Sequence, residues 1–231
     1  QGLAGPAPPS PEVDDSERNS TADGGEVEQC ANGARCYARR ARAQKLPGKR
    51  LITVETASGI IELRVYNRRD VEVSMGAPVF EPGDIPFNTE SRAVSYPLRV
   101  DGQTLEIGAL SMGNPHAVLR VDSAAEAEVE RLGPLIESHP DFPRRVNAGF
   151  MEVVSDRAIK LRVHERGVGE TLACGTGACA AVVYGVTRGW LRDVVTVDLP
   201  GGKLSISWAG EGHPVIMTGP TEVVFEGTIK I

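Results

Sequence analysis

The stretch ERGVGETLACGTGACAAVVYGV, residues 165–186, decides the reading of this chain. From Ala178 to Val186 it is small and apolar on nearly every side, which predicts a helix buried all round. Cys174 stands just before that helix, followed by Gly175-Thr176-Gly177. A cysteine at a helix N-terminus meets the positive end of the helix dipole and N–H groups that lack intrahelical acceptors, an environment expected to lower its pKa and favour thiolate. The same N–H groups are a ready site for a carboxylate, and glycine beside them lets a ligand come close to the backbone.

The pattern recurs upstream. Cys30-Ala31-Asn32-Gly33-Ala34 and Cys174-Gly175-Thr176-Gly177-Ala178 share C-x-x-G-A, and each opens an expected helix. Two copies of one unit suggest two related halves, each with a cysteine at a helix start. Two such starts facing each other would clamp one carboxylate and set a sulfur on either side of its α-carbon. That arrangement suits proton removal from one face and delivery to the other. Cys36 and Cys179 lie deeper in their helices, about one and a half turns from the start, and are read as small buried residues.

Around the two cysteine segments the chain alternates like a strand protein. Residues 31–45 predict a helix ended by Pro47-Gly48, and 51–66 two strands with a tight turn at Ala57-Ser58-Gly59. A strand follows at 71–75, then a hairpin over 94–110 that turns at Asp101-Gly102. Residues 117–121 read as a strand and 124–138 as an amphipathic helix. In the second half, strands fit 150–154, 159–163, 194–199, 203–208, 214–217 and 222–226. Many strands with few helices indicate an α+β class. Residues 1–20, rich in Pro, Gly and Ser and then acidic, read as poorly structured.

Composition sets outer bounds. The chain has 231 residues, 41% of them hydrophobic but only 5% aromatic, so its core is expected to rest on Val, Ile, Leu and Ala. Net charge is −6 with both signs mixed, and no long basic stripe points to nucleic acid. The arginine-rich stretch 35–42 reads as the solvated face of a helix. No apolar run is long enough to span a membrane, and the first residues show no secretory signal, so a cytoplasmic protein is expected. The absence of an initiating Met suggests a processed, trimmed or incomplete chain. The spacing of the four cysteines does not suit a structural zinc site, and no metal is expected.

Taken together, several segments resemble the diaminopimelate epimerase family. They are ADGGEVEQCANGARC (22–36), SMGNPHAV (111–118), LGPLIESH (132–139), RVNAGFMEVV (145–154), ERGVGETLACGTGACA (165–180), LPGG (199–202) and GHPVIMTGP (212–220). The resemblance implies two similar domains, each a curved, mostly antiparallel sheet wrapped around a central helix, with the active site in the cleft between them. The first would comprise 1–75 plus 220–231 and lack its N-terminal part; the second would comprise 76–219. Cys30 and Cys174 would be the two acid/base residues, one thiolate and one thiol, with no cofactor. The substrate would be LL-2,6-diaminoheptanedioate, a small diamino dicarboxylic acid, and the product its meso isomer, on the route to lysine and peptidoglycan precursors.

By matched position, the reacting carboxylate would sit on backbone N–H groups of Ala31-Asn32 and Gly175-Thr176. Asn114, Asn147, Glu165 and Arg166 would hold the distal end, while His116 and Glu165 would tune proton transfer. The family also implies a homodimer. The sequence departs from the pattern at Ala31, where the family has Gly, and at Thr21, where it has Asn. Residues 12–20 are polar where the family has an apolar strand, and Arg39, Arg40 and Arg42 sit on a helix expected to be central. An inactive or truncated homologue that keeps the fold, and a proline racemase-like two-cysteine isomerase, are the competing readings; a phenazine-type isomerase, which uses a carboxylate, is disfavoured by the two cysteines.

Overall fold

The structure, a computed structural model, describes residues 2–3, 14–16, 19–20, 31–44, 49–56, 59–67 and 69–222. Cys30, Thr21, the turn residues 57–58 and most of the expected strand 222–226 lie outside the described residues. The chain divides into two compact units, Gln1–Val73 with Thr218–Ile231, and Ser74–Met217.

In the first unit, β1 (Gly2–Leu3) pairs antiparallel with β3 (Asn19–Ser20), and β2 (Asp15–Ser16) runs parallel to β4 (Leu51–Thr56). These pairings correct the expectation of a poorly structured start for the residues that are described. A polar edge strand needs only its backbone bonds, and here a side chain adds to them. The Asp14 carboxylate accepts the Thr53 N–H at 2.9 Å and pairs with Lys49. The hairpin of β4 and β5 (Gly59–Val65) forms as expected, with β6 (Asp70–Ser74) antiparallel beside β5. Alternation sends Ile52, Val54, Leu63, Val65, Val71 and Val73 inward.

Helix α1 (Ala31–Gln44) packs on β5 through one face. Ala34, Ala38 and Ala41 are buried, at the spacing of a single helix stripe. Two expectations fail here. Cys36 is exposed, because it points away from that alanine stripe. The arginine run is not one solvated face either. Arg35 is buried, and Arg39 donates to the Thr221 carbonyl oxygen.

The second unit is a mixed sheet with helices on both faces. Its order is β14-β13-β11-β10-β9-β8-β7, with β12 (Gly169–Thr171) paired to β11. The strands are β7 (Tyr96–Val100), β8 (Gln103–Ser111), β9 (Pro115–Val121), β10 (Asn147–Ser155), β11 (Ala158–Glu165), β13 (Val194–Leu199) and β14 (Gly202–Ser207). Most neighbours are antiparallel; β9–β10 and β11–β13 are parallel, each joined by a crossover that carries a helix. The β7–β8 turn falls on Asp101-Gly102, whose φ values of 51° and 75° are those a two-residue hairpin turn requires. The strand expected at 214–217 forms as β15 (Ile216–Pro220), starting two residues later.

Helix α3 (Gly175–Thr187) contacts β8, β9, β10, β11, β13 and β14, and every residue from Gly175 to Gly185 is buried. On the opposite face of the sheet lies α2 (Val129–Glu137), whose Val129, Leu132 and Ile136 join Ile107, Ala117 and Phe150 in the core. The expected helix over 124–138 therefore begins five residues late. The Arg162 guanidinium, from β11, donates to the carbonyl oxygens of Ala124, Ala125 and Ala127 at 3.2, 3.3 and 3.1 Å. Carbonyls that a helix would have used are thus captured by the sheet. The core also contains aromatic rings, against the composition-based expectation. Phe87 stacks on Phe142 at 4.5 Å and meets Tyr96 edge-on at 4.9 Å. Among the described residues, no helix is long and apolar enough to cross a membrane.

Candidate active site

Cys174 is the residue immediately before α3, with extended backbone angles of −122° and 109°. The first intrahelical bond runs from the Ala178 N–H to the Cys174 carbonyl oxygen at 3.0 Å. The N–H groups of Gly175, Thr176 and Gly177 therefore have no acceptor inside the helix. The thiol is buried, 4% exposed, and its S–H donates to Glu165 Oε2 at 3.1 Å. Thr176 Oγ1 lies 3.6 Å from the sulfur. A Cβ added at Gly177 would stand 3.3 Å from Cys174 Sγ and 3.1 Å from Val163 Cγ2. This glycine therefore makes room for the sulfur against β11.

The electrostatics reverse the expectation of a depressed thiol pKa. Burial pushes the Cys174 thiol well up, and the charge of Glu165 pushes it further. The Thr176 hydroxyl and the Gly177 N–H pull the other way but do not prevail. Cys174 rests as a thiol, poised to give a proton rather than take one. A thiolate formed there, beside a carboxylate and out of water, is a strong base.

Glu165 ends β11 and is itself held. The Thr171 hydroxyl, across the β11–β12 hairpin, donates to its other oxygen, Oε1. Thr171 was not singled out from the sequence; only the pairing of Val163 with Thr171 and Glu165 with Gly169 brings it there. The segment between this hairpin and Cys174 is braced by the LPGG turn, where the Gly201 N–H donates to the Leu172 carbonyl oxygen at 2.7 Å.

Asn114, His116, Asn147 and Arg166 also gather. Asn147 opens β10 in parallel register with His116 of β9, and the β8–β9 loop carries Asn114. Asn114 Oδ1 is 2.9 Å from His116 Nε2. His116 is 1% exposed, and burial, reinforced by the charge of Arg166, lowers its pKa to about 3. It is a neutral imidazole. Asn147, 3% exposed, donates through Nδ2 to the Pro115 carbonyl oxygen and accepts the Arg166 N–H on Oδ1, both at 2.9 Å. Its amide ties two loops together, an orienting task beyond the expected contact with a substrate. Arg166 Nη1 donates to the Arg144 carbonyl oxygen at 3.2 Å. In the other unit, Ala31 and Asn32 form the first turn of α1. Among the described residues, no cluster of three or more His, Cys, Asp or Glu side chains is arranged to hold a metal ion.

Comparison with known proteins bears on the family of the chain. The family model described as diaminopimelate epimerase matches residues 13–81 and 108–224. A protein named diaminopimelate epimerase from Pseudomonas entomophila (strain L48) is 58% identical over 225 residues, covering 97% of this chain and 82% of that protein. One of the same name from Thioalkalivibrio sulfidiphilus (strain HL-EbGR7) is 63% identical over 211 residues, covering 91% and 76%. Among solved structures, a probable proline racemase from Agrobacterium radiobacter K84 superposes with a TM-score of 0.66 at 17% identity, over 97% of this chain and 75% of that one. A predicted epimerase from Pseudomonas aeruginosa does so with a TM-score of 0.63 at 18% identity, over 94% and 82%. At such identities the two structures speak for the α+β fold alone. The close relatives and the family model carry the assignment: this chain belongs to the diaminopimelate epimerase family.

Proposed function

We propose that the protein interconverts LL-2,6-diaminoheptanedioate and the meso isomer by a two-cysteine, two-base proton transfer that needs no cofactor. The observation that carries this reading is the state of Cys174: a buried thiol at a helix start, hydrogen-bonded to a carboxylate that is itself fixed. In one direction Cys174 delivers its proton to the α-carbon while Cys30, as thiolate, removes the proton from the other face. After turnover Cys174 is the thiolate and Cys30 the thiol, ready for the reverse reaction. The N–H groups of Gly175 and Thr176 at the start of α3 stabilise charge as it develops on the reacting carboxylate, and a water-poor setting strengthens them. The resemblance further assigns the substrate's distal end to Asn114, Asn147, Glu165 and Arg166. Cys36 and Cys174 are free thiols, which suits action in the reducing cytoplasm. We propose a homodimer, to be measured by light scattering on the purified protein.

Incubation of LL-2,6-diaminoheptanedioate with the protein in deuterium oxide should yield the meso isomer with deuterium at the α-carbon. Cys30→Ala and Cys174→Ala should each lower turnover by about 10³-fold or more, since each removes one proton-transfer group. Full turnover by either variant would overturn the two-base reading.

A further inference from the structure

The LGPLIESH segment has a place in this site that its sequence does not reveal. Gly133 and Glu137 lie one helical turn apart on α2, and both face His164 of β11. A Cβ at Gly133 would fall 2.6 Å from His164 Cγ, so only glycine lets the helix approach this ring. One turn on, Glu137 Oε2 accepts a hydrogen bond from His164 Nε2 at 2.9 Å, with both side chains about nine-tenths buried. The other oxygen, Oε1, accepts the Gly167 N–H at 2.8 Å and an Arg145 Nη1 donor at 3.3 Å. Burial disfavours this carboxylate, yet the Gly167 N–H, His164 and Arg145 outweigh it and hold its pKa below the ordinary value.

The consequence lies in the turn that carries the site groups. Residues 165–168 form a β-turn closed by the Val168 N–H on the Glu165 carbonyl oxygen at 3.0 Å. Gly167, the third residue, has φ of 75°, which a side chain would strain. Two successive N–H groups of this turn, Arg166 and Gly167, end on the buried oxygens of Asn147 and Glu137. On the strand side, His164 immediately precedes Glu165. The turn is therefore gripped on both flanks of the carboxylate that meets Cys174.

We propose that Glu137, through His164 and the Gly167 N–H, is a positioning residue that holds Glu165 against the Cys174 thiol. The inference rests on the reading of Cys174 and Glu165 as site groups, but its test does not require turnover. The S–H stretching band of Cys174, assigned by its loss in Cys174→Ser, reports directly on donation to the Glu165 carboxylate. That band should rise in frequency in Glu165→Gln, where the acceptor is neutral, and should also rise in Glu137→Gln, in which a single oxygen replaces two. Glu137→Asp, which keeps the charge and both oxygens, should bring the band most of the way back. An unmoved band in folded Glu137→Gln, or in Glu165→Gln, overturns the proposal. A Glu137→Gln variant that is loosened elsewhere but keeps the wild-type band overturns it as well. Should Glu137→Gln not fold, His164→Phe, which keeps a ring but has no N–H to donate, breaks the same bond from the other side, with the same shift expected. Turnover is read separately: kcat should fall about tenfold in Glu137→Gln and recover in Glu137→Asp. A wild-type protein without epimerase turnover would refute the proposed function, while the band shifts would still decide the role of Glu137.

Discussion

Helices α1 and α3 begin with the same residue pattern and end in different circumstances. Both start directly after a cysteine and carry Gly-Ala at the third and fourth positions. Yet α3 is buried from Gly175 to Gly185, with six strands around it, whereas α1 buries an alanine stripe and leaves Cys36 and Arg40 exposed. The start of a helix is a local matter, settled by a few residues. Its burial is settled by how much sheet the rest of the chain brings to it.

The contrast can be broken most forcefully with a buried charge. Ala180 is fully buried, so Ala180→Asp should cost roughly 4 kcal/mol or more in urea unfolding. Cys36→Asp, on the exposed side of α1, should stay within about 0.5 kcal/mol. Similar losses at the two positions would erase the distinction.

Acid should destabilise the second unit through His116. The unfolded chain protonates His116 near 6.5, while the folded one does so only near about 3. Between those values the unfolded state binds more protons, so stability falls as pH falls, by up to about 1.4 kcal/mol per pH unit. His116→Gln should flatten that slope in urea titrations from roughly pH 6 to 4 and leave the pH dependence above about pH 7 unchanged. An unchanged slope would show that His116 is not held neutral by burial.

The smallest effect is expected at the matched glycines. Gly177→Ala forces a Cβ against Cys174 Sγ and Val163, and should cost about 1–2 kcal/mol. Gly33→Ala, at a half-buried position of α1, should be neutral or gain up to about 1 kcal/mol from helix propensity. Equal costs, measured by thermal unfolding, would mean that the two helix starts are packed alike after all.

Much of the fold was legible because strand alternation and turn chemistry are local. The β4–β5 and β7–β8 hairpins, β13 and the buried helix α3 stand close to where their residues predicted them. Misreadings arose where a distant group intervened. Ala124–Glu128 looks helical by composition, but Arg162 takes its carbonyls. Arg35 and Cys36 exchanged their expected environments because the inward face of α1 is chosen by β5, not by residue type. The site shows the same division. Cys174, Glu165, Arg166 and Asn147 could be named from motifs, whereas Thr171, Glu137 and His164 come into play only through strand register and helix approach.

From its sequence alone this chain determined where its helices and hairpins begin, which segments mark its family and which thiol sits at a buried helix start, since these depend on neighbours a few residues away. The protonation of that thiol was decided by tertiary structure. A helix start by itself favours thiolate, but depth of burial and a carboxylate brought in by β11 outweigh it, because the free energy of a charge depends on everything within several ångströms of it, whatever its distance along the chain.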